Sequence, residues 1–199
     1  MATDHTSSGP AGLHAQARPS PWVSRFAGAL PAGEVLDLAC GGGRHVRLLA
    51  AQGRAVVAVD RDVSAFAQAK PGNVTVVQLD LEGDRAAWPP GLFAPDRYAG
   101  IVVTNYLHRP LLPLLLASLA AGAMLIYETF ALGNERFGKP SNPDFLLRPG
   151  ELLACVADTA CRALDLRVVA FEEGQLGQPK AAMVQRICVS RGAASVMLD

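Results

Sequence analysis

The chain has 199 residues, half of them apolar, with a mean hydropathy of +0.22 and 18 Lys+Arg balancing 18 Asp+Glu. That length suits one domain with a full-sized core, and that hydropathy excludes a chain too polar to fold. Zero formal charge argues against a protein that grips nucleic acid by general electrostatics, which calls for a basic excess.

Residues 1–20 are rich in Ser, Gly, Pro, Ala and Thr and read as a flexible N-terminal arm, leaving 21–199 as a single domain. Trp22, Val23 and Phe26 predict a short helix to Leu30, stopped by Pro31-Ala32-Gly33. Val35–Ala39 is a first strand, followed by glycines 41–43 and a helix from Arg44 to Gln52. Ala55–Val59 is continuously apolar, as a strand buried on both faces should be. A helix is predicted over Val63–Lys70, a third strand over Val74–Leu79, and a connection with one short helix over 82–97. Tyr98–Thr104 is the fourth strand and Pro110–Ala121 a leucine-rich helix, with proline at its first turn and Gly122 past its end. Ala123–Glu128 is the fifth strand, 129–147 is irregular, and Arg148-Pro149-Gly150-Glu151 opens a helix to Thr159. Leu164–Glu173 and Ala181–Arg191 read as a hairpin joined by Gly174–Pro179. Strands alternating with helices predict an α/β fold with right-handed crossovers and a parallel sheet, to which the hairpin adds one antiparallel strand.

Cys40, Cys155, Cys161 and Cys188 form no C-x-x-C pair, and the four histidines are scattered. Neither a metal site nor a disulfide framework is expected, so the expected location is a reducing cytoplasm. The first residues show no apolar run of a leader peptide. The longest apolar stretch, Leu111–Ile126, is interrupted by Pro113, Ser118 and Gly122 and falls short of the ~20 residues of a membrane span, so no membrane partner is expected.

The densest signal is Val35-Leu36-Asp37-Leu38-Ala39-Cys40-Gly41-Gly42-Gly43-Arg44-His45. A buried strand runs into residues without Cβ, which lets the backbone turn tightly and a ligand approach, and the next helix points free N–H groups at that ligand. A nicotinamide loop would be G-x-G-x-x-G, but Val46 stands where the third glycine belongs; no Gly-Lys-Ser/Thr follows, which excludes a P-loop. Asp60 and Asp80 close the second and third strands, at the carboxyl ends where doubly wound sheets bind ligands. Each acid alone also suits a helix cap, with Asp62 a competing cap beside Asp60. Cys40, inside the loop, is expected to meet alkylating reagents.

With the glycine loop, Val57-Ala58-Val59-Asp60 and Gln78-Leu79-Asp80-Leu81, residues 34–191 resemble the class I S-adenosylmethionine-dependent methyltransferases. Within them the chain is most similar to small bacterial tellurite-resistance-like or type 11/12 enzymes. The resemblance implies a Rossmann-like doubly wound sheet of order 3-2-1-4-5-7-6, strand 7 antiparallel, with helices on both faces. It implies S-adenosylmethionine as cofactor. Asp60, flanked by Arg61, would accept from the ribose hydroxyls; Asp80 would accept from the adenine amino group and Leu81 would donate to a ring nitrogen. Asp37 would hold the methionine ammonium through water or backbone, with Ala39, Gly41 and Gly43 shaping the loop and Arg44 or His45 meeting the carboxylate. Asn105 would add its backbone carbonyl.

Methyl transfer is an in-line displacement, so the protein mainly aligns and dehydrates, with a base for some acceptors. Tyr106 and His108, after strand four, are the candidate catalytic residues; His108 stands open between a base and a helix-start residue bonded to backbone. The Asn/Asp-Pro-Pro-aromatic motif of amine-methylating relatives is absent here. Residues 129–147 are long for a loop and read as a lid with Gly133 and Gly138 as flex points. The expected substrate and lid residues are Trp22, Arg109, Glu128, Asn134, Arg136 and Asn142. The expected acceptor is a small molecule, and nucleic acid is not expected as a partner. The alternatives are a silent cofactor-binding sensor or scaffold, a tRNA or protein methyltransferase, and a nicotinamide enzyme weakened by Val46.

Overall fold

A computed structural model describes residues 18–65, 70–158 and 163–192. Seven strands form one sheet: β1 (Glu34–Leu38), β2 (Ala55–Asp60), β3 (Val74–Gln78), β4 (Tyr98–Thr104), β5 (Leu119–Phe130), β6 (Leu166–Leu176) and β7 (Ala182–Arg191). Their order is β3-β2-β1-β4-β5-β7-β6, parallel except for β7, which is antiparallel to both neighbours. This is the Rossmann-like arrangement expected from the sequence.

The sheet separates two apolar clusters, because successive side chains of a strand point to opposite faces. Leu36, Val57, Ile101 and Leu125 pack on one face with α3 (Leu112–Ala117) and α4 (Glu151–Ala157). Val35, Val56, Val102 and Ile126 pack on the other with α1 (Pro21–Ala27) and α2 (Arg44–Ala51). Asp37 shares the face of Val35 and is buried beneath α2.

The elements differ from expectation in four places, one of them β6, which runs over Leu166–Leu176 rather than Leu164–Glu173 because β7 pairs with Gly174, Gln175 and Leu176 of the expected link. The predicted helix over Pro110–Ala121 is a 3₁₀ turn at Arg109–Leu111 and then α3, which stops at Ala117. Beyond it the Tyr98 N–H bonds Ser118 O and Tyr98 pairs with Leu119, so β4 draws these residues into β5. A register shift accommodates them, and Gly122 at φ +78° makes the turn that a side chain would strain. At its far end β5 runs to Phe130, two residues beyond the prediction, because β7 pairs with it there. α1 ends at Ala27, with Gly28 as its C-cap, rather than at Leu30.

The predicted helix 63–70 lies partly outside the described residues, and so does the end of the helix predicted to Thr159. Of the expected arm, residues 1–17 lie outside them; Ser20 is buried and N-caps α1. Among the described residues, no helix is long and apolar enough to cross a membrane.

Candidate active site

The site begins where β1 turns into α2. Ala39, Gly41 and Gly43 all lie in the left-handed region, at φ +52°, +52° and +73°. Glycine takes this conformation freely, whereas Ala39 is strained, a pattern concentrated at ligand-binding turns. The turn leaves α2 without a side-chain cap, so its first N–H groups face outward.

Asp60 fastens this loop to the end of β2. Its Oδ2 accepts from the Gly41 N–H at 2.7 Å and its Oδ1 from the Asp62 N–H at 3.0 Å. Asp80 makes the same kind of local turn, accepting from the Glu82 N–H at 3.0 Å. Both carboxylates therefore shape their turns and still line a cavity of about 590 Å³. Ala39, Arg61, Leu81 and Asn105 line it as well, so the fold brings together six of the nine expected cofactor residues. Gly41 meets the group through its bond to Asp60, while Gly43 starts α2. Asn105, at φ +56°, closes β4 and turns the chain along the cavity wall.

Asp37 is the anomaly. It is 1% exposed, and neither carboxyl oxygen has a hydrogen-bond partner. Burial pushes its pKa from 3.8 up to about 8, against the opposing Arg44 charge. The Val46 N–H also favours the charged form without reaching hydrogen-bond geometry. Such a carboxyl is uncharged in the empty protein below about pH 8 and becomes a counter-charge when a cation bound next to it displaces its proton.

The candidate catalytic residues separate. Tyr106 lines the first cavity, and its buried hydroxyl has no hydrogen-bond partner. Burial first, then the nearby Glu82 carboxylate, pushes its pKa up, so the phenol stays protonated. His108 lines neither this cavity nor the second one described below; it precedes the 3₁₀ turn, where its carbonyl accepts from the Leu111 N–H. Cys40 is buried, and burial pushes its thiol pKa up, which removes the expected reactivity.

A second cavity of about 840 Å³ adjoins the first, sharing Asn105 and Phe130. A buried network supports its wall. The Ser20 N–H donates to His45 Nε2 at 3.0 Å, so the ring proton sits on Nδ1, 3.5 Å from Thr104 Oγ1. Ser20 Oγ donates to Glu128 Oε1 at 2.8 Å, and Arg186 reaches Glu128 Oε2 at 3.4 Å. Burial, then the Arg44 charge, pushes His45 down to about 3, so it is neutral and structural at ordinary pH. Sequence reasoning missed Arg186 and this use of His45. Ser20-Pro21 was the one readable signal, a capping serine before a proline at N1.

Of the expected substrate and lid residues, Glu128 and Asn134 line the second cavity; Trp22, Arg109, Arg136 and Asn142 line neither. Trp22 is buried in the core, its Nε1–H directed at Ile187 O. Arg109 makes a two-pronged ion pair with Glu151 and donates to Asp144 O and Leu146 O. Asn134 donates to Pro140 O and accepts from the Met183 N–H, stapling the loop to β7. Among the described residues, no three His, Cys, Asp or Glu are grouped to hold a metal ion.

No protein-family model matches the sequence, and no curated protein does. Solved structures match its fold. TehB from Haemophilus influenzae aligns with a TM-score of 0.63 at 18% identity, over 87% of this chain and 62% of that one. A 1,6-didemethyltoxoflavin-N1-methyltransferase from Burkholderia thailandensis, solved with 1,6-didemethyltoxoflavin and S-adenosylhomocysteine, aligns at 0.57 and 17% identity, over 86% and 76%. A 16S rRNA adenine methyltransferase from Catenulisporales acidiphilia aligns at 0.54 and 16%, over 88% and 91%. The chain thus has the fold of the S-adenosylmethionine-dependent methyltransferases.

Proposed function

We propose that this protein binds S-adenosylmethionine and transfers its methyl group to a small molecule by in-line displacement. The observation that carries the reading is Asp37, an unpartnered buried carboxyl two residues before Ala39, which lines one cavity with Asp60 and Asp80. A cofactor with an ammonium group, a ribose diol and an adenine amine matches three carboxylates at three successive strand ends. Asp37 would take the ammonium, Asp60 the ribose and Asp80 with Leu81 the adenine, while Arg44, whose charge acts on Asp37, would meet the methionine carboxylate.

When bound, the cofactor supplies an electrophilic methyl group and its own leaving group. The chain's residues then align and dehydrate the acceptor. Among the described residues no histidine or tyrosine is poised as a base at either cavity: Tyr106 is protonated, His45 is sealed in its network and His108 lies off both cavities. This favours an acceptor that is already nucleophilic at neutral pH. A small molecule suits the second cavity, whose volume falls within the ~300–1,000 Å³ of small-molecule sites.

Calorimetry tests the reading directly. S-adenosylmethionine and S-adenosylhomocysteine bind at one per chain, and NADH does not. Asp60→Ala removes charged acceptors worth ~1.5–3 kcal/mol per bond and weakens binding at least about tenfold. Unchanged affinity in a folded Asp60→Ala protein would mean that Asp60 only shapes its turn. Tight binding without transfer to any acceptor in a labelled-methyl screen would indicate a sensor.

A further inference from the structure

We infer that the second cavity takes an acceptor bearing a carboxylate or phosphate on an apolar body. The inference rests on the methyl-transfer reading and narrows it to an acidic substrate. Two of the chain's three lysines, Lys139 and Lys180, line this cavity, together with Arg18, Arg44 and Arg186. Among the described residues its one acidic lining residue, Glu128, is already engaged on both oxygens, by Ser20 and Arg186. Arg18, Arg44, Lys139 and Lys180 have no ion pair among the described residues. A Cβ at Gly138 would lie 3.7 Å from Lys180 Nζ, so the two lysines share one rim.

This concentration stands out in a chain of zero formal charge. Unpaired like charges around a concave site repel one another, and their field concentrates anions there. A bound anion offsets that repulsion, and Arg and Lys are the donors that match carboxylate and phosphate oxygens. Beside the polar Ser20, Asn105, Asn134 and Gln178, the lining includes apolar Phe130, Phe137 and Val184, which a bare inorganic ion would leave unused. Asn105 and Phe130 line both cavities, so the acid would lie against the cofactor site.

The test uses the full chain saturated with S-adenosylhomocysteine, so that the cofactor's own carboxylate has already claimed its cation. Phenylacetate, phenyl phosphate, neutral phenylacetamide, inorganic phosphate and a short single-stranded RNA are titrated by calorimetry. At least one of the two aromatic acids binds about tenfold or more tighter than phenylacetamide and than inorganic phosphate. Whichever acid binds better identifies the headgroup. Lys139 and Lys180 are exposed, and the double variant Lys139→Gln/Lys180→Gln reduces the preference over phenylacetamide to a few-fold while leaving S-adenosylhomocysteine affinity unchanged. Equal binding of acids and phenylacetamide, binding of RNA alone, or an unaltered preference in the double variant overturns the inference. If S-adenosylhomocysteine itself fails to bind, the cofactor reading falls; an acid preference measured on the unliganded chain then still upholds the anionic site, and its absence overturns that too.

Discussion

An isolated carboxyl under full burial favours its protonated form, and Asp37 keeps its proton up to about pH 8. Between 3.8 and about 8 the folded chain holds a proton that the unfolded chain has released, so this group's contribution to stability falls as pH rises through that window. His45 acts with the opposite sign: held down at about 3, it lowers stability as pH falls below 6.5. Between 6.5 and 8 the Asp37 slope remains and that of His45 does not. Asp37→Asn has no charge to desolvate, so at pH 8 it stabilises the empty protein by on the order of a few kcal/mol, with a gain that shrinks toward pH 4. The same variant weakens S-adenosylmethionine binding, because the ammonium loses its counter-charge. Denaturant unfolding across pH measures the first effect, and a pH-independent difference would show a carboxyl that is solvated. The sequence displayed Asp37, Asp60 and Asp80 because strand-end acids after apolar runs stand out. It could not display the protonation of Asp37, which depends on α1 and α2 closing over that face of the sheet.

Among the elements, α1 and the loop after β5 show how far local pattern reaches. Ser20 caps α1 and at the same time bonds Glu128 on β5, so one hydroxyl joins the helix start to the cavity wall. Ser20→Ala loses the cap and leaves Glu128 with Arg186 alone, for a destabilisation of about 1–3 kcal/mol. Its S-adenosylhomocysteine affinity stays as in the wild type, since the residue does not line the cofactor cavity. Thermal unfolding beside calorimetry checks both, and a stability equal to wild type would mean that the network is dispensable. The expected lid over 129–147 is anchored more firmly than its composition implies. Leu147 bridges Ala131, its carbonyl accepting from the Leu132 N–H and its N–H donating to Phe130 O, while Asn134 staples one side and Arg109 holds the other. Between these anchors, residues 137–142 carry few backbone bonds to the rest of the chain. Hydrogen exchange is therefore expected to be fast and slowed by cofactor at 137–142, yet slow with or without ligand at 131–134 and 146–147. Uniform, ligand-insensitive exchange across the loop would reject a moving tip. These anchors were illegible because each joins residues that are distant in sequence.

For the molecule as a whole, the sequence by itself determined the alternation of strand and helix, the antiparallel closing hairpin and the positions of the glycine turn and its acids. Continuous apolar runs mark strands covered on both faces, and right-handed crossovers leave few ways to order them. The end of α3 was settled only when Tyr98 paired with Leu119, a contact that overrode the helical pattern of the leucines. Tertiary structure also placed Arg18, Lys139, Lys180 and Arg186 around one cavity, although none stands in a motif. It sent Trp22 and Arg109 into packing and ion pairing rather than toward a ligand. Periodicity and turn chemistry act over a few residues and are therefore written locally. Burial, charge convergence and the pairing of distant side chains come into being only when the sheet has closed.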